Sequence, residues 1–334
     1  MAYCGIDVSN KSLDVTIKKQ EKFLKCIKFN NTHKGHLAVL AYLIKHKVTR
    51  VGIEATGYYH LDLAVVLNEQ ESIELMIINP RASKHFAKAM MQSNKNDAID
   101  SRVLALFVER MDFVKWVKPQ HHIFAIRACG RRLISLSKEK TKAKNHLHAF
   151  SKTKETIDFI IDDIQLSIQQ IQEQIDRLIA YALELIHTHN DLELAYKRVT
   201  SIKGVADITA IKLLGELGIL ASDMSAKQWG AHAGLFPKTF ESGSSVKKKT
   251  TIGKSGNRYI REALYMGALS ASRYDKNIRA YYLHLIQDNG LTKLQAICAV
   301  MRKILVAMHR MLATDKDFEG QRFYKLESLS LIHI

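Results

Sequence analysis

Tyr3-Cys4-Gly5-Ile6-Asp7-Val8-Ser9, just inside the N-terminus, is the stretch on which the fold prediction depends. It is typical of a short buried strand that carries one carboxylate, Asp7, near its end. A second apolar run, Arg50-Val51-Gly52-Ile53-Glu54, repeats the order of strand and acid, and a glycine-containing turn follows. Because Mg²⁺ prefers carboxylate oxygens, we interpret Asp7 as the first member of a metal-holding acidic cluster.

Residues 1–118 alternate between strand-like and helix-like patterns, and we predict an α/β domain with a mixed sheet. Two strands, Ser12–Lys18 and Lys22–Phe29, are expected to form a hairpin beside the Asp7 strand. The elements predicted after the hairpin are a helix from Thr32 to His46, a strand from Val51 to Glu54, a helix from Tyr58 to Leu67, and a strand from Glu74 to Ile78, after which Asn79-Pro80 opens another helix. This order is compatible with a ribonuclease-H-like fold.

Asp97 and Asp100 lie three residues apart at the start of a further helical pattern, so both project from one face of its first turn. Acids in a first turn are also common because they complement the helix dipole. Together with Asp7 and Glu54, however, they provide four carboxylates from separate elements. Two-metal phosphoryl-transfer sites need such a cluster, with metals roughly 3.5–4 Å apart.

From Pro119 to about Tyr196 the chain is predicted to be a helical arm. Its first part is basic, and Arg127, Arg131 and Arg132 are candidates for contacts with nucleic acid. Its second part carries a heptad pattern of apolar residues, which run through Ile157, Ile161, Ile164, Ile168, Ile171, Ile175, Leu178, Ala182 and Leu185. The pattern favours a coiled coil that makes the protein a dimer or tetramer, and a helical hairpin packed on its own domain is the alternative.

Residues 197–334 form the third predicted region, which is mostly helical. Ile202-Lys203-Gly204-Val205 resembles a helix-hairpin-helix element, whose backbone N–H groups meet a phosphate, and a plain packing unit is equally compatible. The densest basic segment follows a Ser-Gly-rich run, Ser242-Gly243-Ser244-Ser245. Its cationic residues are Lys247, Lys248, Lys249, Lys254, Arg258 and Arg261. We interpret this segment as a phosphate-gripping loop, with a mobile linker as the alternative.

The composition supports a polyanion partner. The chain of 334 residues has 50 Lys and Arg against 33 Asp and Glu, a formal net charge of +17, which favours DNA or RNA as the ligand. The 4 cysteines are far apart, so we expect neither disulfides nor a zinc site. No apolar run approaches the roughly 18–20 residues of a membrane span. We therefore expect a cytoplasmic protein.

The motifs together resemble one family of mobile-element enzymes. Gly5-Ile6-Asp7-Val8-Ser9, Glu54-Ala55-Thr56-Gly57 and the Asp97–Asp100 pair resemble the N-terminal DEDD domain of the insertion-sequence 110 transposases. Gly234-Leu-Phe-Pro237, Ser242-Gly243 and Ile252-Gly-Lys-Ser-Gly-Asn-Arg-Tyr-Ile-Arg261 resemble C-terminal segments of these Piv-invertase-like, bridge-RNA-guided recombinases. Two positions differ from the usual pattern, since Asn96 stands where Thr is common and Ser101 where Ala is common.

The resemblance implies three domains: a RuvC-like DEDD domain at 1–118, a coiled-coil arm at 119–196 and a transposase domain at 197–334. It implies that Asp7, Glu54, Asp97 and Asp100 bind Mg²⁺ or Mn²⁺, and that Ser242 attacks DNA as a nucleophile. Ser244 and Ser245 remain alternatives for that role. The implied partners are target and donor DNA and a structured noncoding RNA that selects them by base pairing. The implied setting is a bacterial or archaeal cell, with the protein associated with the nucleoid.

Three other functions are compatible with parts of the sequence. A RuvC-like Holliday-junction nuclease would use the same acids and metals without covalent catalysis. An actin-like or sugar-kinase-like ATPase also has a Gly-Ile-Asp-Val-Ser phosphate loop, although Asn10-Lys11 stands here where that class has Gly-Thr. In an architectural nucleic-acid-binding protein the acids would only cap structural elements.

Overall fold

The structure, a computed structural model, describes residues 1–92, 96–152, 155, 157–242, 246–253 and 255–326. They fall into two units, Met1–Lys118 and Pro119–Ile334. The first unit builds its core around a sheet, and the second builds its core from helices. Among the described helices, none has the length and apolar character needed to cross a membrane.

The sheet of the first unit is mixed. Its described strands are β1 (Ala2–Val8), β2 (Ser12–Lys19), β3 (Lys22–Phe23), β4 (Ile27–Asn30), β5 (Arg50–Glu54) and β6 (Glu74–Ile78). The spatial order is β3-β2-β1-β5-β6, and β4 also pairs with β2. Strand β1 is antiparallel to β2 and parallel to β5, and β5 is parallel to β6. The predicted α/β domain with a mixed sheet is confirmed.

Helices cover both faces of this sheet. They are α1 (His33–Lys45), α2 (Leu61–Asn68), α3 (Pro80–Ala89) and α4 (Asp97–Arg110). Cys4, Ile6 and Val8 alternate along β1 and belong to the core that includes residues of α1 and α2. Gly5 and Asp7 therefore face the opposite side, where a Cβ at residue 5 would collide with the Ser101 carbonyl oxygen and the Ala105 nitrogen of α4. Glycine at this position allows α4 to lie directly on β1.

The local signals in the sequence mostly act as predicted. Thr32 caps α1 by accepting the Gly35 N–H, and Asn79 caps α3 by accepting the Arg81 N–H, with Pro80 in its first turn. The predicted strand Lys22–Phe29 instead divides into β3 and β4. The two strands pair with β2 in registers that differ by one residue, so an extra residue interrupts the ladder between them.

The second unit contains α5 (His121–Phe150), α6 (Asp158–Thr188), α7 (Asn190–Thr200), α8 (Asp207–Leu217), α9 (Ala226–Ala233), α10 (Arg258–Tyr274), α11 (Lys276–Gln287), α12 (Lys293–Thr314) and α13 (Gly320–Phe323). One described hairpin, β7 (Pro237–Ser242) and β8 (Val246–Ile252), lies between α9 and α10. A single apolar cluster extends from Ile123 to Phe323 and joins the helices. A capping box formed by Thr292 and Gln295 opens α12.

The heptad residues of α6 pack within the chain. Helices α5 and α6 are neighbours along much of their length, and Ile175 and Ala182 of the heptad are buried. Ile171, Leu178 and Leu185 pack against the same core, whereas Ile157 just before the helix is exposed. The described residues thus form a helical hairpin, the alternative that the heptad pattern left open.

Candidate active site

Two of the predicted acids stand side by side on neighbouring strands. Asp7 is the penultimate residue of β1, and Glu54 is the last residue of β5. These strands are parallel and in a register that pairs Ile6 with Ile53, so both acids reach the same edge of the sheet. The carboxyl ends of parallel strands are where ligand sites form in such sheets.

Helix α4 brings the second pair of acids to this edge. Asn96 caps the helix by accepting the Ile99 N–H at 2.8 Å, so Asp97 and Asp100 occupy its first turn. The position of α4 over the sheet is fixed by Ser101, whose buried hydroxyl is 2.7 Å from that of Thr16 on β2. The two departures from the family pattern, Asn96 and Ser101, therefore have definite structural roles.

The electrostatics of Asp7 reflect the convergence of all four acids. The pKa of the Asp7 carboxyl is raised from 3.8 to about 6, first by burial and then by the negative charges of Asp100, Glu54 and Asp97, in that order. A hydrogen bond from the Val8 N–H acts in the opposite direction. Like charges raise a carboxyl pKa only over short distances, so the four predicted acids form one electrostatic cluster.

The cluster fits a hard divalent cation in its donor chemistry, since all its side-chain donors are carboxylate oxygens. A cation would also relieve the repulsion that raises the Asp7 pKa. As placed in the described part of the chain, no three His, Cys, Asp or Glu side chains are close enough together to hold one metal ion. The carboxylates thus lie at one edge of the sheet, but the described side chains are not close enough to coordinate a single ion.

Ser83 is a functional candidate that the sequence analysis missed. It is the buried residue of α3, and its hydroxyl donates to Glu54 Oε2 over 2.6 Å. The Pro80 carbonyl oxygen lies 3.0 Å from the same hydroxyl, a longer and weaker alternative acceptor. A charge-assisted bond of this length holds one carboxylate oxygen of Glu54 in place. A serine in a short basic helix carries no sequence signal for this role.

Asp14 is a fifth acid at the site and was also missed. It lies opposite Asp7 in the β1–β2 ladder, so both side chains share one face of the sheet. Lys28 Nζ lies 3.7 Å from Asp14 Oδ2 and 3.8 Å from Asp97 Oδ2. Burial raises the pKa of the Asp14 carboxyl, Lys28 lowers it and Asp97 raises it. The alternating pattern of β2 predicts a strand of a hairpin, but it does not show that α4 packs on the face that carries Asp14.

The second unit carries the predicted serine. Ser242 is the last residue of β7 and pairs with Val246 at the start of β8. The alternative nucleophiles Ser244 and Ser245, and the predicted phosphate ligand Lys254, lie outside the described residues. Lys247, Lys248 and Lys249 all belong to β8. The serine thus stands at the end of a strand that is paired with the lysine-bearing strand β8.

A buried carboxylate anchors the chain that follows the hairpin. Glu216 of α8 is 2% exposed and accepts a hydrogen bond from Asn257, the N-cap of α10, at 2.7 Å. Arg131 Nε lies 2.5 Å from its Oε1, and Arg127 Nε lies 3.4 Å from its Oε2. These cationic neighbours and Asn257 lower the pKa of Glu216 against the effect of burial. Arg127 and Arg131, which were predicted to contact nucleic acid, form salt bridges with this buried carboxylate.

The other predicted nucleic-acid ligands differ in their surroundings. Lys203 is exposed, and Gly204, with a φ of +98°, lies against the backbone of α10 near Ala271. Arg132 bonds to Glu139 and Gln174, and Arg261 donates to the Ala233 carbonyl oxygen at 2.7 Å. Arg258 is exposed and lies over the ring of Tyr259.

Comparisons with known proteins agree on one family. The family model for the DEDD domain of IS110, described as "Transposase", matches residues 4–152, and the model described as "Transposase IS116/IS110/IS902 family" matches residues 196–283. The pilin gene-inverting protein of Moraxella bovis is 27% identical over 95% of this chain and 97% of its own length. Its counterpart in Moraxella lacunata is 26% identical over the same shares. The transposase of the insertion sequence IS1328 from Yersinia enterocolitica is 26% identical over 54% of this chain and 60% of its own length.

Proposed function

Because the chain belongs to the IS110 family of transposases and is a DNA recombinase, we propose that it cuts and rejoins DNA with an acidic metal site and a serine. Asp7, Glu54, Asp97 and Asp100 are the proposed Mg²⁺ or Mn²⁺ ligands, and Ser242 is the proposed nucleophile. The observation that carries the proposal is the convergence of the acids: Asp7 and Glu54 lie at the ends of neighbouring parallel strands, and Asp97 and Asp100 lie in the first turn of the helix that packs on β1.

The divalent metal, when bound, supplies Lewis-acid stabilisation of charge on the phosphate oxygens. The protein contributes the position of each ligand. Asp7 and Glu54 are fixed by adjacent parallel strands, Asp97 and Asp100 by the capped start of α4, and Glu54 in addition by the Ser83 hydroxyl. A site held by regular elements keeps its ligands in register during the reaction.

The covalent step uses the Ser242 hydroxyl. Its Oγ forms a bond to the scissile phosphorus while one bond from phosphorus to a deoxyribose oxygen breaks. The Ser242 proton leaves to a base and the departing deoxyribose oxygen gains a proton, so that a phosphoserine and a free hydroxyl end result. A serine hydroxyl needs such activation because it is a weak nucleophile unaided. Reversal with a different strand end rejoins the DNA.

Further parts of the proposal concern architecture and partners. We propose a RuvC-like domain at 1–118, an arm at 119–196 and a transposase domain at 197–334. We also propose assembly of two or four chains through the arm, and a structured noncoding RNA that selects target and donor DNA. The net charge of +17 supports polyanionic partners. The exposed Ile157, just before α6, and the exposed Phe159, in its first turn, support a further apolar contact there.

Trapping of a covalent adduct tests the serine. Purified protein is incubated with Mg²⁺, guide RNA and a nicked DNA substrate that releases one strand after cleavage, and the adduct is resolved under denaturing conditions. We expect Ser242→Ala to abolish the adduct, and Ser244→Ala and Ser245→Ala to retain it. DNA cleavage by Ser242→Ala at the wild-type rate would instead support a metal-only nuclease.

A further inference from the structure

We propose that α3 and the turn between β5 and α2 form a binding surface for the DNA strand that leaves the acidic site, with its bases unstacked. The surface consists of Tyr58 and Tyr59 in the turn and Arg81, Lys84 and Lys88 on α3, and it is called the strand surface below. This inference rests on the proposed function, since it names the substrate that approaches Glu54.

Helix α3 presents a one-signed charged face. Arg81, Lys84 and Lys88 are exposed, and its sequence Pro-Arg-Ala-Ser-Lys-His-Phe-Ala-Lys-Ala contains no acid. Lys84 and Lys88 are one turn apart, so their ammonium groups follow the helix axis on the same side. Two cations in a row along a helix suit consecutive phosphates of a nucleic acid backbone.

The turn after β5 presents two aromatic rings. Tyr58 is 55% exposed and Tyr59 is 48% exposed, which is unusual for side chains with so much apolar area. Tyr58 and Tyr59 follow Glu54 by four and five residues in the sequence. Between them and Glu54 lies Gly57, whose φ of +53° allows the chain to turn after β5. Exposed tyrosines beside cations are the typical components of a surface on which unpaired bases stack.

The topology brings the helix and the turn to the same edge as the acids. Strands β5 and β6 are parallel neighbours, and the Ala55 N–H after β5 donates to the Ile78 carbonyl oxygen of β6 at 2.9 Å. The turn leaves the end of β5 and α3 leaves the end of β6. Ser83 connects them to the site, since it lies between Arg81 and Lys84 and donates to Glu54.

These features favour one occupant. The lysines match phosphates and the rings match base faces, whereas a protein partner offers no regular series of both. In a duplex the base faces are already stacked, so the tyrosines select a single strand. The strand that reaches Glu54 is the one that is cut, and that strand is DNA.

Binding of a short fluorescein-labelled single-stranded DNA to the full chain tests the strand surface. Anisotropy is measured in EDTA between about 50 and 200 mM salt, so that metal binding and catalysis do not contribute. We expect Lys84→Ala/Lys88→Ala to reduce the slope of log K against log salt by about 1.4, at about 0.7 per lost phosphate contact. Lys45→Ala/Lys47→Ala is the matched control, because these exposed lysines precede β5 at the opposite edge.

The tyrosines are tested in the same assay. We expect Tyr58→Ala/Tyr59→Ala to weaken binding about 30-fold or more, because two stacking rings are lost, and the corresponding Phe variants to bind like wild type, since the ring supplies the stacking. A 5-iododeoxyuridine in the DNA should photo-cross-link to the peptide that contains Tyr58 and Tyr59, and the Lys84/Lys88 variant should lose the cross-link.

Three results would overturn the inference: equal effects of the two lysine pairs, no cross-link to the tyrosines, or a loss confined to single-stranded RNA. The proposed catalytic mechanism fails separately. If Asp7→Asn recombined DNA normally while the strand-surface variants still lost DNA binding, the metal mechanism would be wrong and the strand surface would stand.

Discussion

Replacement of Asp7 by asparagine should stabilise the fold while abolishing recombination. Burial and three neighbouring acids raise the pKa of Asp7 from 3.8 to about 6, so the folded protein pays to keep this group ionised. Two pKa units at about 1.4 kcal/mol each correspond to about 3 kcal/mol. Asparagine keeps an acceptor for the Val8 N–H, and we expect a gain of about 1–3 kcal/mol at pH 8 without metal.

The dependence on pH has a definite sign. The folded state binds the Asp7 proton more tightly than the unfolded state does, so the contribution of this group to stability is fully present below about pH 4. It is lost as the pH rises through about 6. The stability advantage of Asp7→Asn over wild type should therefore be largest at pH 8 and shrink as the pH falls from 7 to 5.

The assay is urea unfolding in EDTA and then in Mg²⁺, with the first unit followed by hydrogen exchange at β1. Mg²⁺ should stabilise wild type by RT ln(1 + [Mg²⁺]/Kd) and have much less effect on Asp7→Asn. Asp112→Asn, an exposed acid of the same unit, controls for the change of one charge. Loss of stability in Asp7→Asn at pH 8, or a gain that is constant between pH 5 and 8, would refute the electrostatic account.

Three further substitutions probe single contacts. Ser83→Ala should lower the recombination rate about tenfold by freeing Glu54, since a hydrogen bond to a charged group contributes about 1.5–3 kcal/mol. Ser83→Thr is the rescue variant, and Ser72→Ala is the control at an exposed serine. An unchanged rate in Ser83→Ala would contradict a role for Ser83. Asn96→Ala should destabilise α4 by about 1 kcal/mol through loss of its N-cap, and Asn96→Thr should restore most of it, as urea unfolding would report. Glu216→Ala should destabilise the second unit by about 3–5 kcal/mol, because Arg127 and Arg131 lose their buried partner. The control, Glu139→Ala on the surface, should cost less than about 1 kcal/mol, and thermal unfolding of both variants measures the difference. Equal melting temperatures for the last two variants would show that Glu216 is not an anchor.

The elements of the first unit could be predicted because their signals are local. Apolar alternation in β1, the caps Thr32 and Asn79 and the first-turn acids of α4 each act within a few residues. The edge shared by Asp7 and Glu54 follows from the parallel pairing of their strands. Asp14 and Ser83 could not be predicted, because their importance depends on which residue a distant element places beside them.

The heptad of α6 shows a second kind of limit. A repeat of apolar residues every three and four positions specifies that a helix packs on another helix, but it does not specify which one. Here α5 of the same chain supplies that partner for Ile175 and Ala182. The register change between β3 and β4 is similar in origin, since it depends on how two segments share one partner strand.

The polar contacts between α4 and β2 limit which segments can be exchanged between related proteins to make chimeras. Thr16 of β2 contacts Ser101 of α4, and Lys18 of β2 pairs with Glu109 of α4. The two segments therefore match each other at two points, although the paired residues are 85 and 91 positions apart in the sequence. Apolar side chains would tolerate a sliding or rotated helix, whereas these directional pairs do not. A chimera that takes β2 from one relative and α4 from another would leave these polar groups without matching partners. Exchange of the two segments together should preserve both the fold and the spacing of the acids.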